Sequence, residues 1–430
     1  MRARTIRSRE LLRLLPLFVL YLTALALLPA HPDDEASYID LAHRLTQGMY
    51  VTGDNDALLD ADPTSPDLWF GPGLPAVLAP LEAVGAPLNV LRLTGPVLLF
   101  GAVLVFYILA RRRWTPGTSL AASYGFGLYP PFWPLLTNVH SEPLAVLLMV
   151  GAMLGLAAAL SERSAAGSVL ATFALAGLAL TRVAYGWVLT IVLVVSVAWW
   201  LTRRRPSAAR LAVIVGAALV LCTPWLAYTH AKTERLFQWG NSGALSLYWM
   251  SSPYPGETGD WRQADDVFTD PALNRHRPFF ATLRGLSLGE QNAEIERRAI
   301  EHILEDPLAY GGNIAANLSR LLVNAPYSGS AWRPNDLLYA VSNALGVAAV
   351  LFCLIVLIPR RGSLPAEAAP YALIGATALA LHLLVSAYPR MLAPLIPLVA
   401  WLTTLAFVET EAYASIRRFV RGRARPRANP

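Results

Sequence analysis

The stretch LNVLRLTGPVLLFGAVLVFYILARRR, residues 88–113, decides the fold class of this chain. Its apolar run is long enough to cross the hydrocarbon core of a bilayer, which takes about 20 residues of helix. The run ends in Arg111, Arg112 and Arg113, and such basic clusters mark the cytoplasmic end of a spanning helix. We therefore predict a membrane-spanning helix whose carboxyl end lies in the cytoplasm.

Similar apolar runs recur along the 430 residues, of which 55% are hydrophobic and only 15% charged. They predict an all-α polytopic membrane protein of about ten transmembrane helices, with juxtamembrane helices and a small mixed region on the outer face. The amino-terminal run imitates a signal peptide, but the many later runs favour an uncleaved first helix. The predicted spans are 11–30, 88–110, 117–135, 142–160, 166–181, 183–202, 208–229, 337–358, 369–387 and 391–408.

The segment GPGLPAVLAPLEAVGAP, residues 71–87, decides the orientation of the helices that follow it. If this segment spanned the membrane, Arg111–Arg113 would lie outside. If it does not, both termini and every short arginine-rich loop are cytoplasmic, as the positive-inside rule requires. We therefore predict that 71–87 lies at the outer interface or re-enters the membrane, and that both termini are cytoplasmic in a bacterial plasma membrane.

This topology divides the chain into six parts. They are the amino terminus with the first helix (1–30), an outer loop with an acidic motif (31–87), helices 2–7 (88–229), an outer region (230–336), helices 8–10 (337–408) and a basic cytoplasmic tail (409–430). The net charge of +6 thus reflects orientation in the bilayer, and we expect no nucleic-acid partner. Cys222 and Cys353 fall inside spans and are interpreted as packing residues.

The first outer loop carries the strongest functional signal. At 100° per residue, Asp34 shares a helical stripe with Tyr38, Leu41 and Leu45. A carboxylate on the packed face of an interfacial helix is costly and usually functional. Asp33 lies on the wetter side and is better explained as complementing a helix amino terminus.

The order of several short motifs resembles the C-type glycosyltransferases, in particular the protein O-mannosyltransferases, the lipid A aminoarabinose transferases and related bacterial enzymes. The motifs that carry the resemblance are Asp34-Glu35-x-x-Tyr38-x-x-x-Ala42, Gly71-Pro72-Gly73-Leu74-Pro75, Ser141-Glu142-Pro143-Leu144 and Tyr388-Pro389-Arg390. The resemblance extends loosely over nearly the whole chain. One departure is Gly71-Pro72-Gly73, where related enzymes often carry a Lys-Pro-Pro type of sequence.

The resemblance implies an inverting transfer of a sugar from a polyprenyl-phosphate donor to an envelope acceptor, which is a protein, a lipid or a polysaccharide. Such a transfer needs a general base, for which we predict Asp34, with Glu35 as a supporting acid. It also needs cations for the leaving phosphate, for which we predict Arg390 and Arg182. For these arginines, snorkelling to the interface is the alternative explanation.

Tyr38, His140 and Glu142 are the predicted contacts to donor or acceptor, with Glu142 as a second acidic residue near the base. Ser141 before Glu142-Pro143 also fits an ordinary helix cap. No cofactor is certain. A divalent metal held by Asp34, Glu35 or Glu142 is chemically feasible, but no ligand spacing demands one.

The outer region holds aromatic residues that suit sugar stacking, although Trp and Tyr also collect at membrane interfaces. They are Trp239, Tyr248, Trp249, Tyr254, Trp261 and Trp332. Residues 290–323 are predicted to form a helical pair on the membrane, broken at Asp306-Pro307.

Three other functions compete with glycosyl transfer. A transporter or flippase of lipid-linked sugar predicts ionisable residues deep within spans and a repeat between halves, whereas the acidic residues here cluster outside the spans. A polysaccharide polymerase or ligase gives no obvious reason for an acidic helix directly after the first span. A noncatalytic scaffold predicts that Asp34 can be replaced without loss.

Overall fold

The protein is described by a computed structural model that covers residues 7–30, 34–50, 68–328 and 336–410. Within these ranges the regular structure consists of helices, without strands, so the all-α prediction is confirmed. The helices are α1 Ser8–Leu27, α2 Glu35–Thr46, α3 Gly73–Ala83, α4 Leu88–Arg111, α5 Pro116–Gly127, α6 Glu142–Ser161, α7 Ala165–Thr181, α8 Ala184–Arg203, α9 Pro206–Leu221, α10 Thr223–Thr233, α11 Ser242–Met250, α12 Asp266–Thr269, α13 Arg277–Leu283, α14 Leu288–Glu305, α15 Pro307–Val323, α16 Asp336–Leu357, α17 Ala368–Leu384 and α18 Pro389–Val408.

Six helices in the described part of the chain are long and apolar enough to cross a membrane, namely α1, α4, α6, α8, α16 and α18. The pair α9 and α10, bent by 48°, makes a seventh if it is counted as one span. The predicted count of ten is therefore not confirmed. Helices α7 and α17 are apolar but have 17 residues each, about 25 Å at the helical rise.

The predicted span 117–135 is not one continuous helix. Helix α5 ends at Gly127, and the chain continues in two 3-10 turns, Pro130–Phe132 and Pro134–Leu136. The proline residues explain the break because proline has no N–H to donate to the preceding turn and its ring clashes with that turn.

Segment 71–87 forms the short helix α3, which packs against α2. Its 11 residues span about 16 Å, roughly half the hydrocarbon thickness. A helix of this length suits the interfacial or re-entrant position expected from the sequence. The acidic motif at the start of α2 lies beside Arg92 at the start of α4 and beside the residues that precede α6.

The helical pair predicted over 290–323 consists of α14 and α15, with the break at the predicted position. Asp306 ends α14 and caps α15, since its side chain accepts a hydrogen bond of 2.9 Å from the Ala309 N–H. The outward face of α14 carries ion pairs such as Arg297 with Glu294, whereas the exposed positions of α15, including Leu308 and Leu318, lack charge. The two helices therefore present different surfaces.

The aromatic residues of the outer region form a core and do not line an open sugar-stacking surface. Trp239, Tyr248 and Trp249 are each at most 2% exposed, so neither sugar stacking nor a membrane interface explains them. Tyr254 and Trp261 are half-buried, and Trp332 lies outside the described residues.

His302 on α14 gives this core a pH dependence. The ring is 1% exposed, lies 5.4 Å from the Tyr248 ring, and neither nitrogen has a hydrogen-bond partner among the described residues. Burial lowers the pKa of His302 to about 4 from an ordinary 6.5, so the unfolded chain binds more protons between these values. Stability should therefore fall on acidification from pH 6.5 to 4, by about 3 kcal/mol.

Thermal unfolding measured across this pH range checks the prediction. His302→Phe should flatten the dependence because it removes the titrating group and keeps a ring, whereas the exposed His43→Asn should not. An unchanged pH dependence in His302→Phe would contradict the assignment.

Candidate functional site

Four charged side chains from distant parts of the sequence meet in one cluster. Asp34 precedes α2, Glu142 begins α6, Arg182 follows α7 and Arg390 lies in the first turn of α18. Arg390 Nη2 lies 2.8 Å from Asp34 Oδ2, and its Nε lies 3.8 Å from Glu142 Oε1. Arg182 Nη1 donates to the same Glu142 oxygen at 2.9 Å. Two carboxylates and two guanidinium groups thus form a continuous chain.

The members of this cluster differ in their access to solvent. The Glu142 side chain is 2% exposed, whereas that of Asp34 is 24% exposed. Arg390 and Arg182 are 23% and 16% exposed. A substrate can therefore reach Asp34 and the two arginines, while Glu142 lies behind them as their buried counter-charge.

Tyr38 and Ser141 join the cluster from its apolar side. The buried Tyr38 hydroxyl donates to Ser141 Oγ at 2.9 Å, and Arg182 Nη1 donates to that oxygen at 3.3 Å. Burial raises the pKa of Tyr38 far above its usual range, so its hydroxyl remains a donor. Ser141 stands at the cap position of α6 but makes no side-chain cap hydrogen bond. The alternative explanation of Ser141 as a helix cap is therefore wrong, because the Ser141 hydroxyl takes part in the cluster.

His140 lies beside the cluster without joining it by a hydrogen bond. Its Nδ1 is 4.0 Å from Glu142 Oε2, which is longer than a hydrogen bond. The residue is buried, 6% exposed. From this position His140 can affect the electrostatic environment of the Glu142 carboxylate, but it is poorly placed to contact a substrate.

Glu35 makes its hydrogen bonds to groups outside this cluster. Its carboxylate accepts two hydrogen bonds from Arg92, of 2.8 and 2.7 Å, and one of 2.9 Å from the Val139 N–H. Burial alone would raise the pKa of Glu35, but these hydrogen bonds outweigh burial and hold that pKa below its ordinary value. Glu35 therefore ties the start of α2 to α4 and to the loop that precedes Glu142.

The segment that carries Arg390 is held from α15. The buried Asn317 side-chain amide donates to the carbonyl oxygens of His382 and Val385, and Arg320 donates to that of Ala387. Arg320 is itself fully buried and also donates to the carbonyl oxygen of Gly259. These hydrogen bonds satisfy backbone carbonyl groups near the end of α17 and in the segment that follows it, where the regular helical hydrogen bonds stop. They also hold in place the segment that leads to Arg390.

Gly71 and Gly73 allow the first outer loop to approach Arg182 closely. A Cβ on Gly71 would lie 2.0 Å from the Leu180 carbonyl oxygen, and one on Gly73 would lie 2.2 Å from Thr181 Oγ1. Neither distance is sterically allowed, and both contacts fall directly before Arg182. The departure from the Lys-Pro-Pro pattern thus coincides with tight packing at this point.

Gly71→Ala is accordingly expected to destabilise the protein by about 1–3 kcal/mol, since the added methyl group overpacks a close contact with backbone. Thermal unfolding in detergent measures the effect. Gly117→Ala is the matched control, because nothing lies within 4 Å of a Cβ at that helical position. Equal melting temperatures for the two variants would contradict the close approach at Gly71.

Arg92 is the residue that the sequence analysis missed. It is a single cation within the otherwise apolar start of α4, and this isolation is the signal that could have indicated a charged partner. As for metals, the described residues contain no group of three or more His, Cys, Asp or Glu side chains arranged to hold an ion.

Comparison with known proteins gives likeness in structure only. No protein-family model matches the sequence, and no curated protein matches it. The archaeal oligosaccharyltransferase AglB from Archaeoglobus fulgidus, solved with an inhibitory peptide and a dolichol-phosphate, matches with a TM-score of 0.57 at 15% identity, over 98% of this chain and 52% of the AglB chain. Over the matched region the chain has the fold of AglB. It spans about half the length of AglB.

Two structures of ArnT from Cupriavidus metallidurans, one bound to undecaprenyl phosphate and one in the apo state, also match. Both are 16% identical to this chain, with TM-scores of 0.39 and 0.37, over 93% and 92% of this chain and 78% of ArnT. The fold expected from the sequence motifs is confirmed by the likeness to AglB. The roles of individual residues stay predictions.

Proposed function

We propose that this protein is an inverting glycosyltransferase that moves a sugar from a polyprenyl-phosphate donor to an envelope acceptor at the outer face of the plasma membrane, with both termini in the cytoplasm. The observation that carries the proposal is the cluster of Asp34, Glu142, Arg182 and Arg390 within a C-type glycosyltransferase fold. AglB was solved with a dolichol-phosphate bound, and we extend this class of lipid carrier to the donor of the present chain.

Asp34 is the proposed general base. Of the acids in and beside the cluster it has the most exposed side chain, 24% against 2% for Glu142 and 6% for Glu35. A base must come within hydrogen-bond distance of the acceptor group that loses a proton, and only Asp34 offers that access.

Arg390 and Arg182 are the proposed phosphate contacts. Each is held by a buried or partly buried carboxylate, which orients the guanidinium group before substrate arrives. Planar guanidinium groups suit phosphate oxygens because they donate two parallel hydrogen bonds. Arg390 also contacts Asp34, so it links the proposed base to the proposed leaving-group site.

In the proposed step the acceptor oxygen or nitrogen attacks the anomeric carbon from the face opposite the phosphate. The bond between that carbon and the phosphate oxygen breaks, its electron pair stays on the polyprenyl phosphate, and Asp34 takes the acceptor proton. The arginines balance the charge that develops on the phosphate. Attack from the opposite face inverts the anomeric configuration.

Glu35 and Arg92 are proposed as positioning residues, in place of a supporting acid role for Glu35. The Glu35 carboxylate, on the residue after Asp34, accepts hydrogen bonds from Arg92 and from the Val139 N–H. It therefore sets the separation of Asp34 from Glu142. Because the pKa of Glu35 lies below its ordinary 4.5, this clamp holds at neutral pH and is lost only as the pH falls below that value.

Glu35→Gln and Arg92→Gln should each lower kcat about tenfold with little change in the donor KM. Both changes leave the position of Asp34 less well fixed, but neither removes a contact with the substrate. The double variant should lose no more than either single variant, because both changes break one interaction. Arg92→Lys should recover only part of the loss, because lysine cannot make the bidentate contact. Additive losses in the double variant would contradict the clamp.

The function itself is tested with the full chain reconstituted in proteoliposomes. A panel of labelled polyprenyl-phosphate sugars is offered with envelope protein, lipid and polysaccharide acceptors, and the anomeric configuration of the product is determined. Transfer with inversion supports the proposal. Movement of the lipid-linked sugar across the bilayer without transfer to any acceptor would favour the flippase alternative, and a retained configuration would overturn the mechanism.

A further inference from the structure

Arg320 on α15 is a buried cation whose hydrogen bonds are complete. The residue is fully buried, and an arginine side chain has five N–H donors. All five donate at 3.0–3.2 Å, to the carbonyl oxygens of Thr258, Gly259, Pro326 and Ala387 and to Asn317 Oδ1. Arg320 therefore has no donor left for a substrate. It holds three separate stretches of chain together, and a shift of any one of them would leave a buried donor unpaired.

Asn317 lies three residues earlier on α15 and completes the same network. The regular hydrogen bonds of α17 stop at Leu384, so the last carbonyl groups of that helix need other partners. The Asn317 amide is shared among the carbonyl oxygens of His382, Leu383 and Val385, at 2.9, 3.3 and 2.8 Å. Asn317 Oδ1 accepts from the Ala387 N–H at 3.1 Å. One side chain thus fixes the backbone on both sides of the point where α17 ends and the path to Arg390 begins.

The stretch that leads to Arg390 makes two further contacts with the outer region. The hydroxyl of Ser386, a residue only 3% exposed, donates to the Gly259 carbonyl oxygen. The Tyr388 ring stacks on the Tyr327 ring, with centroids 6.0 Å apart and planes at 21°. The stretch is therefore bound to the outer region before it reaches the first turn of α18.

The other proposed phosphate contact is anchored in a different way. Arg182 follows α7 and donates to Glu142 and Ser141 at the start of α6, and both helices are apolar. Arg182 is thus positioned by the apolar helices, whereas the position of Arg390 depends on α15 and the outer region. A phosphate that contacts both guanidinium groups needs these two parts of the protein at one fixed separation.

We infer that Asn317 and Arg320 are positioning residues for the donor, which act through Arg390 and set the affinity of the site for the donor phosphate. The inference rests on the proposed function. It gives these residues a role distinct from that of the Glu35–Arg92 pair, which positions the base and affects kcat. A less well fixed Arg390 raises the donor KM, because Arg390 is proposed to contact the phosphate both before and during the reaction. The acceptor KM changes little.

Asn317→Ala tests the inference, with Asn313→Ala as the matched control. Asn313 lies one turn earlier on α15 and is also buried, and its amide donates to the carbonyl oxygens of Met250 and Ser252 at 3.0 and 2.9 Å, outside the stretch that leads to Arg390. Both variants lose a buried amide that pairs backbone carbonyl groups, so both should melt at a lower temperature. Only Asn317→Ala should raise the donor KM and weaken inhibition by polyprenyl phosphate, each by about tenfold, as for one weakened charge-assisted contact.

Hydrogen exchange of the full-length protein in detergent gives a readout that does not depend on activity. Asn317→Ala should speed amide exchange in residues 385–391, and Asn313→Ala should not, because only the former removes a partner of this stretch. Ser386→Ala is a milder change that leaves Asn317 in place. It should raise the donor KM about two- to threefold, and it carries the test where Asn317→Ala fails to fold.

The outcomes separate this inference from the proposed function. Equal donor KM values in Asn317→Ala and Asn313→Ala, or unchanged exchange of residues 385–391 in Asn317→Ala, would overturn the inference and leave the proposed function in place. So would a wild-type donor KM in Ser386→Ala where that variant carries the test. A wild-type protein that neither transfers sugar nor binds polyprenyl phosphate would overturn the proposed function and this inference together.

Discussion

Asp34→Asn is expected to lower the turnover of glycosyl transfer by about a hundredfold to ten-thousandfold, the range that a general base contributes. Asparagine has nearly the same shape and keeps an oxygen for the contact with Arg390, which lies 2.8 Å from Asp34 Oδ2, but it cannot take the acceptor proton. The donor KM should change little, because the arginines proposed to bind the phosphate remain. Initial rates in proteoliposomes measure both quantities.

Asp40→Asn is the matched control. Asp40 lies on α2, the helix that begins directly after Asp34, and it also pairs with an arginine, Arg44, at 2.6 Å, but it is not part of the cluster. Its replacement should leave turnover near the wild-type value. Wild-type turnover in a correctly inserted Asp34→Asn variant would remove Asp34 from the mechanism and turn attention to the other acids.

The sequence predicts the helices well because hydrophobic length and the positions of arginines are local properties of the chain. The long apolar helices α4, α6 and α16 lie within a residue or two of the predicted spans. The break after α5 could also have been predicted from the sequence, since the predicted span 117–135 contains Pro130, Pro131 and Pro134. Its overall hydrophobicity concealed the break.

The assembly of the site could be anticipated only through the order of family motifs. No periodicity in the sequence indicates that Arg390 should lie beside Asp34, or that Arg182 should reach Glu142. The partner of Glu35 was missed for the same reason, because 57 residues separate it from Arg92. Such pairs depend on how whole helices pack, and that packing is set by close contacts such as those at Gly71 and Gly73.

The burial of the aromatic residues in the outer region also could not be predicted from the sequence. The tryptophan and tyrosine residues of this region suggested a binding surface by composition, but Trp239, Tyr248 and Trp249 are buried in the hydrophobic core that the spanning helices share. Aromatic side chains serve cores, interfaces and sugar sites alike. Only the packing of α11 against α14 distinguishes the first use from the others.

Glu142→Gln is the second change with a large expected effect. The carboxylate is 2% exposed and lies 2.9 Å from Arg182 and 3.8 Å from Arg390, so the neutral amide leaves two neighbouring cations without their buried counter-charge. Breaking such an arrangement costs about 3–5 kcal/mol when one partner is removed. The variant should therefore melt at a clearly lower temperature and turn over at least about tenfold more slowly, since the arginines lose the group that orients them.

The direction of the effect on binding separates this role from simple misfolding. Without Glu142 the cluster carries an extra positive charge, so polyprenyl phosphate should inhibit the variant more strongly than the wild type, while a merely distorted site would bind it more weakly. Inhibition constants for polyprenyl phosphate in both proteins decide the point. Glu296→Gln, which breaks an exposed pair with Arg235, serves as the control and should change neither turnover nor inhibition. Inhibition equal to that of the wild type would contradict the proposal that Arg182 and Arg390 contact the phosphate.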